Sequence, residues 1–311
     1  MEQNPQNFDR LAGAVESLVK QERWTRRFSN LVKLVVAGYI IFFIYLAIQN
    51  MGLRNIEALN AKEHVAVIKL EGAILPSTKI SADTFNPLLQ KAFANPASKA
   101  VVIKANSPGG SPVQSALIND EITRLKELHK KPVYVVVEDQ CASGCYYIAV
   151  AADKIYANKG SIIGSIGVRM DNFGVTELMD KIGVENRSMQ SGKYKTFINP
   201  FAPVNEEGQK FFQERVLDRT HQQFIDTVRA GRGDRIQENE YTYSGLVWLG
   251  DEAVENGMID GIADIGGLLR DVVGVTEQRV YESNKSLFEE LMGDITSETA
   301  TKLSLYLSTL R

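Results

Sequence analysis

Short β-branched runs alternate with helical stretches over most of the chain. The runs VAVIKL (65–70), AVVIKA (100–105) and VYVVV (133–137) have the nearly continuous apolar character of buried parallel strands. Between the last two runs, residues 113–129 place apolar side chains on one face of a helix. Strands that alternate with helices are typical of βαβ units, so the pattern predicts an α/β domain, to which we assign residues 64–280.

The segments around these strands are less regular. Helical periodicity predicts two more helices, at residues 206–229 and 251–257. Residues 54–63 have the character of a short linker before the domain, and residues 281–311 form a tail rich in Ser, Thr and Glu. We therefore expect one folded domain with a linker on one side and a tail on the other.

The first 33 residues carry an amphipathic stripe. Phe8, Leu11, Val15 and Leu18 follow one another at helical spacing. Such a stripe is compatible with packing on a partner helix, with lying on the inner leaflet of a membrane and with a loosely ordered tail. The pattern does not choose among the three, and we describe residues 1–33 as an amphipathic tail.

A stretch without any charged side chain, residues 34–53, lies between this tail and the linker. At 1.5 Å per residue, a helix of this length reaches about 30 Å, the thickness of a bilayer core. More Lys and Arg side chains lie just before the stretch than just after it. By the positive-inside rule we expect a single transmembrane helix, with residues 1–33 in the cytoplasm and the bulk of the chain exported.

The amino-acid composition excludes several classes of protein and of binding site. The 311 residues include 35 basic and 38 acidic side chains, a balance that excludes a dedicated nucleic-acid binder. Two cysteines and three histidines are too few for a disulfide scaffold or a tetrahedral zinc site. A bond between Cys141 and Cys145 would strain the turn that they enclose, so we expect two reduced, buried thiols.

A glycine pair follows the second strand. In Asn106-Ser107-Pro108-Gly109-Gly110 the paired glycines free backbone amides to point at a ligand oxygen, as an oxyanion hole requires. The same letters also make an ordinary turn. Taken alone, the motif is weak evidence for a site.

A serine among small residues follows the third strand, in the run Cys141-Ala142-Ser143-Gly144-Cys145-Tyr146-Tyr147. At a strand-to-helix junction, neighbouring amides stabilise negative charge beside such a serine, which suits a nucleophile. The alternative is that Ser143 is a helix N-cap, as most serines at such positions are. Local sequence leaves both interpretations open.

A serine nucleophile needs a base. His64, His129 and His221 all have the settings of surface or packing residues, so a histidine triad is not favoured. The loop Ser191-Gly192-Lys193-Tyr194-Lys195-Thr196 offers two lysines, and a lysine acts as a general base once burial lowers its pKa. Lys193 and Lys195 lie on the same side of an extended segment, so spacing does not choose between them, and both are equally compatible with a solvated surface.

Five motifs together carry a resemblance, namely NSPGG, CASGCYYIA, GSIGV, SGKYKT and GLVWLG, in this order along the chain. The set resembles the signal peptide peptidase A (protease IV) family of Ser-Lys serine peptidases. The resemblance implies a crotonase-like/ClpP-like spiral of ββα units behind one N-terminal transmembrane helix. It also implies a homo-oligomeric ring, anchored by a single pass in the bacterial inner membrane with the catalytic domain outside the cytoplasm.

The resemblance also assigns roles. It makes Ser143 the nucleophile, and the 52-residue separation favours Lys195 as the general base. Ser165, in Gly-Ser-Ile-Gly, matches the serine that orients that lysine, and the amides of Gly110 and Gly144 match the oxyanion hole. The implied substrates are membrane-associated peptides such as remnant signal peptides, and the implied chemistry uses no metal or cofactor.

Two positions depart from the family pattern. Cys145 stands where the family usually has a second glycine, and Leu246 stands in place of an arginine. The first departure motivates an alternative, a catalytically degenerate ring-forming scaffold in the membrane. A crotonase-like enzyme acting on acyl-thioesters is a further alternative, weakened because no basic segment for coenzyme A adjoins the Pro-Gly-Gly turn.

Overall fold

The computed structural model describes residue 24, residues 29–45 and residues 62–282. The predictions for most of the N-terminal tail, for the linker up to residue 61 and for the C-terminal tail from residue 283 therefore lie outside the described residues. The described residues fall into two units that divide between residues 61 and 62, and each is described by itself.

The first unit contains helix α1, residues 29–45, whose side chains are all exposed. The predicted transmembrane stretch, 34–53, runs past its end, so residues 46–53 lie outside the described residues. Among the helices that the structure describes, none is both long enough and apolar enough for a membrane crossing.

The second unit is built on one mixed sheet. Its described strands are β1 (His64–Glu71), β2 (Ser98–Ser107), β3 (Val133–Ala142), β4 (Lys154–Ala157), β5 (Ile162–Gly164), β6 (Val247–Leu249), β7 (Gly261–Ile262) and β8 (Gln278–Val280). The main path runs β6-β5-β3-β2-β1-β8, with β4 on β3 and β7 on β4. All pairs are parallel except β5 with β6. The predicted α/β class and its three predicted strands are confirmed.

Helices connect the strands. They are α2 (Ala82–Ala94), α3 (Pro112–His129), α4 (Gly144–Ala149), α5 (Thr176–Ile182), α6 (Glu206–Phe212), α7 (Asp218–Arg232), α8 (Gly250–Glu255) and α9 (Ile265–Gly267). Helix α3 confirms the predicted helix, and Ser111 caps it by accepting a hydrogen bond from the Gln114 amide. The predicted helix at 206–229 is α6 and α7, joined by a π-helical turn, Gln213–Leu217.

The central strands are apolar because both of their faces are covered. On one face, Ala66 and Ile68 of β1 lie in an apolar cluster with Phe85 of α2. On the other face, Val65 and Val67 cluster with residues near the end of the domain. Burial on both faces explains why these strands read as continuous apolar runs rather than as alternating patterns.

Strand β3 serves two neighbours in succession. Its first half, from Tyr134 to Val137, pairs with β4, and its last residues, Gln140 to Ala142, pair with β5. The carboxyl end of β3 is therefore held between β2 on one side and β5 on the other. This is the point from which α4 starts.

Candidate active site

Ser143 occupies the sharp turn between β3 and α4. Its backbone has φ 53° and ψ −122°, and its amide donates to the Gly164 carbonyl at 2.7 Å. A non-glycine residue held in such a region costs on the order of 1–3 kcal/mol, and strained strand-to-helix turns present catalytic serines in other folds. The side chain makes no capping hydrogen bond, so the structure does not favour the N-cap interpretation.

The glycine pair packs against this turn. Gly109 has φ 94°, and a Cβ added there would lie 2.6 Å from both the Ala142 carbonyl oxygen and the Gly144 amide nitrogen. A Cβ at Gly110 would lie 2.1 Å from the carbonyl oxygen of Ile74. Side chains at either position would collide with backbone, so the closeness of the two turns requires glycine.

The two amides expected to form the oxyanion hole come close together. A Cβ built on Gly144 would lie 3.1 Å from the Gly110 nitrogen. Within the described residues, neither the Gly110 amide nor the Gly144 amide donates to a backbone carbonyl in a turn, loop or cap hydrogen bond. Two neighbouring donors next to a strained serine are what an oxyanion in acyl transfer would require.

Ser165 directly follows β5, whose Gly164 lies opposite Ala142 of β3. Like Ser143 it has φ 53°, and its amide donates to the Leu246 carbonyl at 2.8 Å. The structure therefore brings Ser165 beside the Ser143 turn.

The two lysines differ in their surroundings. The Lys193 ammonium lies 2.7 Å from the Glu207 carboxylate and 4.8 Å from the centroid of the Tyr194 ring. The hydrogen bond to Glu207 raises the pKa of Lys193, which is unfavourable for a general base. Lys195 is exposed, and within the described residues its ammonium makes no hydrogen bond or ion pair. Neither lysine is brought into hydrogen-bond contact with Ser143 or Ser165.

The three histidines have other roles. His64 is buried and bonds to the Tyr281 hydroxyl at 3.1 Å, and His129 packs on the Phe93 ring. His221 bonds through Nε2 to the Ile166 carbonyl at 3.1 Å. None bonds to Ser143, which agrees with setting a histidine triad aside.

A cavity of about 330 Å³ opens beside Ser143, and no pattern in the sequence predicted it. Most of its apolar lining comes from three helices, and Val168 of the segment after β5 completes it: Pro112, Val113, Ala116 and Leu117 of α3, Tyr147 of α4 and Phe224 of α7. Tyr147 and Phe224 are in ring contact at 5.1 Å, although 77 residues separate them. Only the amphipathic face of α7 hinted that Phe224 would point inward.

Cys141 and Cys145 are joined in a disulfide, so the expectation of two reduced thiols is wrong. That expectation rested on strain in the enclosed turn, whereas Cys141 lies near the end of β3 and Cys145 lies in α4. The turn at Ser143 brings their Cα atoms to 5.1 Å, inside the usual range for a disulfide. Cys145 has no positive φ, so the position tolerates a side chain.

Among the described residues, no group of three His, Cys, Asp or Glu side chains is placed to hold a metal ion.

The fold and the site together define an α/β protein with a strained serine facing paired glycine amides, an arrangement suited to acyl transfer. A family model described as peptidase family S49 matches residues 126–296, more than half of the chain, and the chain belongs to this family. The resemblance to the signal peptide peptidase A family is thereby confirmed.

Several curated proteins are similar to the chain. A protein of Brucella abortus named "Na(+)/H(+) antiporter NhaA" is 41% identical over 68% of the chain and 29% of its own length. "Serine protease SPPA, chloroplastic" of Arabidopsis thaliana is 30% identical over 73% of the chain and 34% of its own length. "Protease 4" of Haemophilus influenzae is 29% identical over 82% and 41%. The chain thus spans less than half the length of these three relatives.

Proposed function

We propose that the chain is a membrane-anchored serine endopeptidase that cleaves peptides such as remnant signal peptides with Ser143 and Lys195. The observation that carries the proposal is the Ser143 turn, where a strained serine adjoins the amides of Gly110 and Gly144. Membership of a peptidase family supports the same reaction.

The reaction is acyl transfer. The Ser143 Oγ attacks a peptide carbonyl, neutral Lys195 takes the hydroxyl proton, and the amides of Gly110 and Gly144 stabilise the oxyanion. The lysine then gives its proton to the leaving amine, and water hydrolyses the acyl-enzyme. The ion pair of Lys193 with Glu207 supports Lys195 as the base, because Lys193 is held in its charged form.

To act as a general base, Lys195 needs an environment with less solvent contact than a single chain provides. It lies in the segment 168–207, in which no residue is buried. Phe173, Met189 and Phe201 of this segment are 78%, 98% and 53% exposed. This exposure supports a homo-oligomeric ring in which a neighbouring copy covers the segment and shields the lysine from water.

Export and anchoring rest on two observations. The uncharged stretch 34–53 provides the proposed anchor, with residues 1–33 in the cytoplasm of a bacterium and the catalytic domain outside its inner membrane. The Cys141–Cys145 disulfide supports this location, since disulfides persist in oxidising compartments such as the periplasm.

The apolar cavity beside Ser143 suits an apolar side chain of the substrate.

The test compares the full-length chain with Ser143→Ala, Lys195→Ala and Lys193→Ala in cleavage of casein and a synthetic signal peptide. We expect the first two variants to lose at least 100-fold in rate, as general-base catalysis alone contributes about 10²–10⁴-fold. Lys193→Ala is the matched control and should retain activity. Equal cleavage by wild type and Ser143→Ala would contradict the proposal of a serine peptidase with Ser143 as its nucleophile. Cleavage by none of the four, with intact folding, would favour the degenerate scaffold.

A further inference from the structure

The disulfide encloses the residues on which the proposed chemistry depends. Cys141 and Cys145 are both buried, at 0% and 1% exposure, and the bond between them brackets Ala142, Ser143 and Gly144. The bracketed residues include the nucleophile and one of the two oxyanion amides. The ring closed by the bond therefore coincides with the catalytic turn.

The ends of this ring are already fixed by other contacts. Cys141 lies opposite Ile163 of β5 and Ser107 of β2 in the sheet. Helix α4 is anchored by Tyr146, whose hydroxyl donates to the Met258 carbonyl at 2.8 Å. Because strand and helix are held independently, and because closing a loop this short gains little stability, the disulfide adds little to the global stability of the fold.

The residues between the ends are held less well. Ser143 keeps φ 53° with only two backbone hydrogen bonds, from its amide to Gly164 and from the Tyr147 amide to its carbonyl. A non-glycine residue released from constraint returns to negative φ, which would turn the Ser143 side chain and the Gly144 amide away from Gly110. A covalent link across this turn opposes that movement directly.

We propose that the Cys141–Cys145 disulfide is a positioning element for acyl transfer, which holds Ser143 at positive φ and the Gly144 amide beside Gly110. The inference rests on the proposed function, since it concerns the rate at which Ser143 is acylated. It also gives a role to the departure at Cys145, where the family usually has glycine.

The test is a double-mutant cycle on the full-length chain with Cys141→Ala, Cys145→Ala and the double variant. Four quantities are measured: the second-order rate of Ser143 labelling by a fluorophosphonate, kcat and KM for an apolar peptide, and the unfolding midpoint. Each single variant should slow labelling and lower kcat about tenfold with KM unchanged. The double variant should do no worse, because all three break the same bond.

Two further variants separate positioning from packing. Ile148→Val removes one buried methylene from α4 and leaves the disulfide intact, so it should lower the midpoint and keep the labelling rate. Cys145→Gly is a second way to break the bond should an alanine variant fail to fold, and it should match the single variants. Additive losses in the cycle, or a loss in Ile148→Val equal to that of the cysteine variants, would show a packing effect and overturn the proposal.

The proposed function fails separately. If wild type is not labelled at Ser143, the proposal of a serine peptidase is wrong, and the positioning role of the disulfide is wrong as well. If wild type is labelled and every cysteine variant is labelled at the same rate, only the positioning role is overturned.

Discussion

Gly109 offers the sharpest test of the oxyanion geometry. In Gly109→Ala the new Cβ would lie 2.6 Å from the Gly144 nitrogen and 2.9 Å from the Ser143 Cβ. Two of its three nearest atoms are backbone, so the Ser143 turn itself has to move. Displacing the Gly144 amide removes one oxyanion donor, which costs about 10²–10³ in kcat, or about 2.7–4 kcal/mol.

The conformational cost of the substitution can be measured separately. Gly72 has φ 98°, close to the 94° of Gly109, but a Cβ there would meet nothing within 4 Å. Gly72→Ala therefore incurs the cost of a side chain at positive φ, about 1–2 kcal/mol, without the collision. The difference between the two variants isolates the contact with the Ser143 turn.

The assay is fluorophosphonate labelling of Ser143 together with peptide hydrolysis, at a temperature where circular dichroism shows both variants folded. We expect Gly109→Ala to lose at least 100-fold in both rates and Gly72→Ala to stay within about threefold of wild type. A folded Gly109→Ala that is labelled at the wild-type rate would refute the reasoning, because the Gly144 amide would then have no part in stabilising the oxyanion.

Three predictions concern stability. Arg232 is 1% exposed and pairs with Asp260 at 2.7 Å. Arg232→Met should therefore lower the free energy of unfolding in urea by about 3–5 kcal/mol, and a loss below about 1 kcal/mol would contradict a buried pair. Tyr146→Phe removes the donor to the Met258 carbonyl and should cost about 1–3 kcal/mol in the same measurement; an unchanged midpoint would mean that water replaces the hydroxyl. Hydrogen bonds from Arg229 lower the pKa of Glu238 from 4.5 to about 2, so their stabilisation is present above pH 4.5 and is lost as the pH falls through about 2. The difference in Tm between wild type and Glu238→Gln should therefore shrink over that interval, and a constant difference would argue against the ion pair.

Much of the fold was readable because its strands are buried on both faces. Continuous apolar runs marked β1, β2 and β3 without any knowledge of their partners. Helix α2 was not predicted, since Pro87 lies inside it and proline ordinarily ends a helix. Pairing partners such as β8 were also out of reach, because a three-residue strand has no periodicity of its own.

The candidate site was readable only where it is local in sequence. The glycines and Ser143 belong to two short turns, and a turn motif states its own backbone requirements. Phe224 reaches the cavity from a distant helix, and no spacing rule relates it to Ser143. The cysteine pair was misjudged because the pattern alone could not show that the turn at Ser143 brings the two Cα atoms to 5.1 Å, a distance that a disulfide spans without strain.

The position of β8 has a consequence for the chain as it is being made. Strand β1 pairs with β2 on one side and with β8 on the other, and His64 bonds to Tyr281 across 217 residues. At 5–20 residues per second, ribosomes need roughly 10–40 s to supply that second neighbour. Throughout this interval an apolar strand has an open edge, which invites pairing with other chains. A chain cut short before residue 278 would keep that edge permanently, and we expect it to aggregate even though every residue of the Ser143 turn is present.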